Sequence, residues 1–118
     1  MSLFRKSKDI NEELIQFQNT KNAILLDVRS KEEYEMSHIP ESINIGLTDI
    51  EKVNEIIKDK STMIFVYCFS GARSEKACRK MKEMGYKNIK NIGGISQYQG
   101  KVIWDGKCFR LFKMEKGS

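Results

Sequence analysis

Proline, histidine and tryptophan each occur once in this chain, and no apolar run comes near the ~20 residues of a membrane-spanning helix. Each shortage excludes something. With a single proline and no Gly- or Ser-rich tract, nothing divides the 118 residues, and the whole chain, 1–118, reads as one domain. A chain of this length buries roughly two-thirds of the surface its unfolded form exposes, enough for a real core. His38 has no second ligand at metal spacing, so no metal site is expected. The three cysteines, Cys68, Cys78 and Cys108, are odd in number, widely spaced and without a CxxC pair, so they are not a disulfide framework. The N-terminal stretch MSLFRKSKDI is basic but lacks the apolar core of a secretory signal. A reduced, cytoplasmic compartment is expected. The formal charge is +5, yet it contains no arginine-rich block or basic stripe interleaved with aromatics. Neither nucleic acid nor a membrane is therefore an expected partner, and the basic surface would instead steer small anions.

Short apolar runs alternate with helical patterns. Between Lys8 and Gln18, Ile10, Leu14 and Phe17 recur at helical spacing with Ile15 beside them, and Asp9 is placed as N-cap. Ala23 to Val28 (AILLDV) reads as a strand buried on both faces. Ser30 and Glu33 then form a capping-box pattern. A brief strand over Ile43 to Ile45 precedes a helix opened by Thr48 or Asp49, with Val53, Ile56 and Ile57 as its apolar positions. Thr62 to Cys68 (TMIFVYC) is a second buried strand. From Ser74 a helix is expected, with Ala77, Cys78, Met81 and Met84 on one stripe and Gly85 as its stop. Asn88 to Ile92 (NIKNI) is a third buried strand. Strands apolar throughout, alternating with helices, indicate a parallel α/β sheet covered on both sides. In such sheets ligands sit beyond the carboxyl ends of the strands. Further on, Asp105-Gly106 lies between two runs rich in β-formers, a hairpin signal.

Cys68 stands at the carboxyl end of the strongest strand, followed by Phe69, Ser70, Gly71, Ala72, Arg73 and Ser74. A very short loop between strand and helix turns its backbone N–H groups inward, and the helix N-terminus reinforces that anion cradle. Gly71 supplies the freedom such a turn needs. A thiol there is expected to be acidic, and the thiolate is the reactive form. Arg73 adds a planar cationic fork, and Ser74 can cap the helix or donate into the cradle.

The loop CFSGARS resembles the active-site loop of rhodanese-like domains, of the form C-x-x-G-x-R-S. LLDVRSKEEYEMSHIPESINI (Leu25 to Ile45) resembles the early signature of that family, and MKEMGYKNIKNIGGISQYQGKV (Met81 to Val102) its late segment. The resemblance runs in order over 23–102, leaving 103–118 as a C-terminal extension. Ser37 and Glu41 stand where the family usually has glycines, and Tyr98 where it often has tryptophan. The resemblance implies a three-layer α/β fold with a central, mostly parallel sheet of about five strands and helices on both faces. It also implies a sulfurtransferase. Cys68 would take a sulfane sulfur from a small anionic donor such as thiosulfate or polysulfide, hold it as a persulfide, and pass it to cyanide, a thiol or a protein acceptor. The amides from Phe69 to Ser74 would hold the anionic sulfur, Arg73 would order the loop or the donor, and no metal or organic cofactor would be required.

Two other readings stay open in the sequence. Rhodanese-like domains also serve as docking or regulatory modules, though such members often lack the cysteine. Cysteine-dependent phosphatases and arsenate reductases share the Cys…Arg logic, but the phosphatases use C-x5-R, and one residue fewer makes a smaller cradle. Asp27 and Arg29 read as supporting residues, either near the mouth of the site or as an ion pair fixing the strand-to-helix turn. Arg73 could brace the loop against Asp27 or Glu33. His38 reads as structural, beside Pro40; Cys78 as core; and nothing places Cys108 near Cys68.

Overall fold

Six strands and four helices follow one another in the computed structural model, which describes residues 9–110, with side chains through 107. Helix α1 (Ile10–Gln18) opens on Asp9, whose carboxylate accepts the Glu12 N–H at 3.0 Å. Strand β1 (Ile24–Asp27) leads into α2 (Lys31–Met36), whose start carries the full capping box between Ser30 and Glu33. After β2 (Ser42–Asn44) a 3₁₀ turn over Leu47–Lys52 runs into the short α3 (Val53–Ile56). Strand β3 (Met63–Cys68) is followed by α4 (Ala72–Glu83), then β4 (Asn88–Gly94). The chain ends its described part with β5 (Lys101–Trp104) and β6 (Lys107–Arg110).

Strands β2, β1, β3 and β4 lie in that order in one parallel sheet. The period-two alternation of side chains divides the core in two. Leu26, Val28, Ile64, Val66 and Cys68 face α3 and α4, packing on Val53, Ala77, Cys78 and Met81. Leu25, Phe65, Tyr67 and Ile92 face the other way, onto Ile10, Leu14 and Phe17 of α1 and onto Val102 of β5. This is the three-layer arrangement, and it assigns Cys68 to the α4 side of the sheet. Among the described residues, no helix is long and apolar enough to cross a membrane.

Four expectations are corrected in detail. The central sheet has four strands rather than about five, because β5 and β6 pair antiparallel with each other across Asp105-Gly106. Both turn residues have positive φ, 53° and 75°, the requirement of the type I′ hairpin whose twist matches its strands. That ribbon is pinned to the body through a bridge between His38 and Ile103. Ile15 and Ile56, counted among the apolar helix positions, are exposed. The helix expected from Ser74 begins two residues earlier, at Ala72, which buries Ser74 inside its first turn and takes away its capping role. The helix expected from Thr48 or Asp49 is divided, 3₁₀ first and α-helical only from Val53. The Cys108 side chain lies outside the described residues.

Candidate active site

The loop joining β3 to α4 is only three residues long, Phe69, Ser70 and Gly71. Gly71 makes it possible. It occupies the N-cap of α4 at φ 106°, a left-handed conformation that other residues adopt at a cost. The turn brings the Gly71 N–H onto Cys68 Sγ at 3.0 Å, with the Ser74 hydroxyl 3.5 Å from the same sulfur. Cys68 is 1% exposed, at the floor of this cradle. Burial is the largest single influence on its thiol and pushes it up. The Ser74 hydroxyl and the amides of Ser74, Gly71 and Ser70 together outweigh burial, and the thiol lies below its ordinary value. Cys78, one layer away on α4, has no such donors, and burial pushes it up to about 12. Of these two thiols, Cys68 is the one whose ionised form is favoured by hydrogen-bond donors.

The loop is bolted to β4 and to the turn that follows it, Ile95–Gln97. The Ser96 N–H donates to Phe69 O at 3.0 Å, and Gly94 pairs across the ladder with Cys68. A Cβ on Gly94 would sit 2.0 Å from Phe69 O and 2.5 Å from Ser70 Cα, so the loop lies where only glycine leaves room. Asn91 on the same strand accepts from the Ser74 hydroxyl at 2.7 Å and donates to Gly71 O at 3.2 Å. Sequence reading did not single out Asn91. Asn91 follows Lys90 in a strand that also begins with Asn88, so its polarity alone does not mark it out.

Arg73 does not stand free at the mouth. Its guanidinium makes two parallel bonds to the Glu33 carboxylate, at 2.7 and 3.1 Å, and Glu33 simultaneously accepts the Ser30 N–H in the α2 capping box. Arg73 thus ties the first turn of α4 to the first turn of α2. The Arg73 bond, the largest influence, holds the Glu33 carboxyl down at about 2, well below its usual 4.5. The contribution of this pair to stability is therefore expected to be full above pH 4.5 and to disappear as pH falls through about 2. Acid unfolding curves of wild type and Glu33→Gln should converge in that window, and parallel curves would dismiss the pair as a source of stability.

Asp27 and Arg29 pair with each other. Two guanidinium nitrogens donate to the buried carboxylate at 2.7 to 3.1 Å, the Arg29 N–H adds a bond at 2.8 Å, and Arg29 Nη2 also donates to Ser37 O at 2.6 Å. They lie with Tyr67, over whose ring the guanidinium rests, on the sheet face opposite Cys68. This geometry braces the turn from β1 into α2. His38 stacks on Tyr34 and bonds its carbonyl, at a distance of 2.8 Å.

A shallow pocket of about 320 Å³ opens beside the loop, lined by Arg29, Glu32, Glu33, Met36, Ser37 and Phe69. Met36 and Phe69 are 66% and 53% exposed and give this rim an apolar character. A larger groove of about 770 Å³, between α2 and the 3₁₀ turn, includes no residue of the Cys68 loop.

The model of the rhodanese-like domain matches residues 11–101. The chain is 37% identical over 71 residues to the thiosulfate sulfurtransferase PspE of Escherichia coli, spanning 59% of this chain and 68% of that protein. It is 39% identical over 79 residues to the adenylyltransferase and sulfurtransferase of Ogataea parapolymorpha, spanning 66% of this chain but 20% of that one. It likewise spans less than half, 42% and 43%, of two further curated relatives. A solved E. coli rhodanese with bound anions superposes with a TM-score of 0.65 at 31% identity, covering 70% of this chain and 98% of that one. The fold, the order of the motifs and these relatives agree: the chain belongs to the rhodanese-like domain family.

Proposed function

We propose that this protein is a sulfurtransferase that carries sulfane sulfur on Cys68. The observation that supports this best is the placement of Sγ at the carboxyl end of β3, where the Gly71 N–H donates to it and the Ser74 hydroxyl stands 3.5 Å away. The Cys68 thiolate attacks the outer sulfur of thiosulfate or of a polysulfide. A sulfur–sulfur bond forms at Sγ, the donor's own sulfur–sulfur bond breaks, and sulfite or the shortened polysulfide leaves with the electron pair. The resulting persulfide is anionic at its terminal sulfur. The loop amides and the start of α4 stabilise it as they stabilise the thiolate. A thiophilic acceptor, cyanide or a thiol on a small molecule or a protein, then takes the terminal sulfur and returns Cys68 to the thiolate.

No general base is required, because the cradle already favours the ionised sulfur. Arg73 acts from behind the loop, its charge committed to Glu33, and the amides do the anion binding. The chemistry needs a reduced compartment such as the cytoplasm, in which Cys68 remains a thiol between turnovers.

The test is mass spectrometry of the intact protein and its peptides, without reductant, after thiosulfate and separately after polysulfide. The expected result is one added sulfur atom on the peptide containing Cys68, removed by cyanide. A free Cys68 thiol after both donors would overturn the proposal and leave the family's docking role as the better reading.

A further inference from the structure

The Ser74 hydroxyl has one proton and three acceptors around it: Asn91 Oδ1 at 2.7 Å, Gly71 O at 3.1 Å and Cys68 Sγ at 3.5 Å. Two of the three are settled by their other partners. Gly71 O already accepts the Glu75 N–H at 3.1 Å and the Asn91 Nδ2–H at 3.2 Å, so both its lone pairs are engaged. The Gly93 N–H donates to Asn91 Oδ1 at 3.0 Å, which fixes which end of the carboxamide faces Ser74. The shortest contact is therefore also the available one, and the hydroxyl is held off the sulfur. We infer that Asn91 is a positioning residue: it accepts the hydrogen bond of the Ser74 hydroxyl while Cys68 is a thiol and releases that hydroxyl to Sγ when the sulfur becomes an anion.

Asn91 so sets how strongly the hydroxyl must be drawn away before it can serve the thiolate or the persulfide. The inference rests on the reading of Cys68 as the nucleophile. Arg73 and Cys78, both from α4, couple by charge to Cys68. Arg73 is held by Glu33 of α2 and also feels Asp27 at the end of β1. From β4 the sulfur's neighbourhood receives neutral Asn91, because Lys90 is turned to Glu13 of α1. A change at Asn91 thus alters a hydrogen bond and no charge.

The test reads the thiolate without any sulfur donor. Alkylation of Cys68 by iodoacetamide is followed against pH by the mass of its peptide, which separates it from the other cysteines. Asn91→Leu frees the hydroxyl for Sγ. The midpoint is expected to fall by about half a unit, roughly threefold more thiolate at a pH below it. Ser74→Ala removes the donor and is expected to raise the midpoint. In the Ser74→Ala background, Asn91→Leu is expected to shift nothing, because the two act as a unit. Asn91→Ala, which leaves a gap in place of an apolar side chain, should repeat the sign of Asn91→Leu. A mere brace would behave otherwise, since loosening the loop amides raises the midpoint with or without Ser74. A rise, no change, or an equal shift in both backgrounds would overturn the inference. Failure of sulfur loading beside the expected midpoints would reject the sulfurtransferase reading and leave this one standing.

Discussion

Cys68→Ser is expected to bring sulfur loading down to background, a loss of at least about 10⁴-fold, while the protein stays folded. The two halves of that statement rest on different observations. Loading fails because a serine hydroxyl does not ionise in this cradle and cannot hold a sulfane sulfur as a persulfide does. The fold survives because oxygen in place of Sγ still accepts the Gly71 N–H and can bond Ser74, so no buried polar group is orphaned. The change in stability should be about 1 kcal/mol or less. Peptide mass spectrometry reads the first half and a urea midpoint the second. Loading that persists on another cysteine, or a serine variant that is unfolded, would overturn the assignment of Cys68 as carrier.

Gly94→Ala should be nearly as damaging, by a wholly different route. The backbone of Gly94 is extended, at φ −130° and ψ 146°, a conformation alanine adopts freely. The added methyl carbon meets Phe69 O at 2.0 Å and the Phe69 carbonyl carbon and Ser70 Cα at 2.5 Å, all of them backbone atoms that no rotamer change can move. Either the loop lifts or β4 leaves its register. Overpacking of this kind costs about 3 kcal/mol. Displacing the cradle by an ångström lowers reactivity about 10²-fold. The pH midpoint of Cys68 alkylation should then rise, because the donors that offset burial move away from the sulfur. Wild-type stability and an unchanged midpoint in the alanine variant would mean that the loop does not depend on this approach.

The elements that the sequence reveals are those specified locally. Asp9, the Ser30–Glu33 box and Asp105-Gly106 act within a few residues of themselves, and each forms as its spacing implies. Strands β1 and β3 and the position of Cys68 are legible because an uninterrupted apolar run must be covered on both faces, whereas the third strand expected to be buried, β4, is interrupted by Lys90 and Asn91 and buries only Ile92 and Gly94. What escapes the sequence is set across the sheet. Asn91 and Gly94 lie twenty or more residues beyond the loop they support, and no periodicity connects an asparagine in β4 with a serine in α4. Arg73 had two acidic candidates, and the choice of Glu33 followed only once Asp27 was committed to Arg29 on the opposite face. The strand count depended on whether the last two strands would join the sheet or close on one another, and their own turn decided it.

The bolting of the β3–α4 loop to β4 has a consequence in time. Cys68 precedes Asn91, Gly94 and Ser96 in the chain, so during synthesis the thiol exists before the residues that position its cradle. Until β4 and the turn after it add to the edge of β3, the Phe69 carbonyl lacks the Ser96 N–H and the Ser74 hydroxyl lacks Asn91. On the proposed reading of Cys68, the full set of contacts around its loop is expected only once the sheet is complete. The alkylation midpoint of Cys68 is therefore expected to report whether the last parallel strand has joined the sheet.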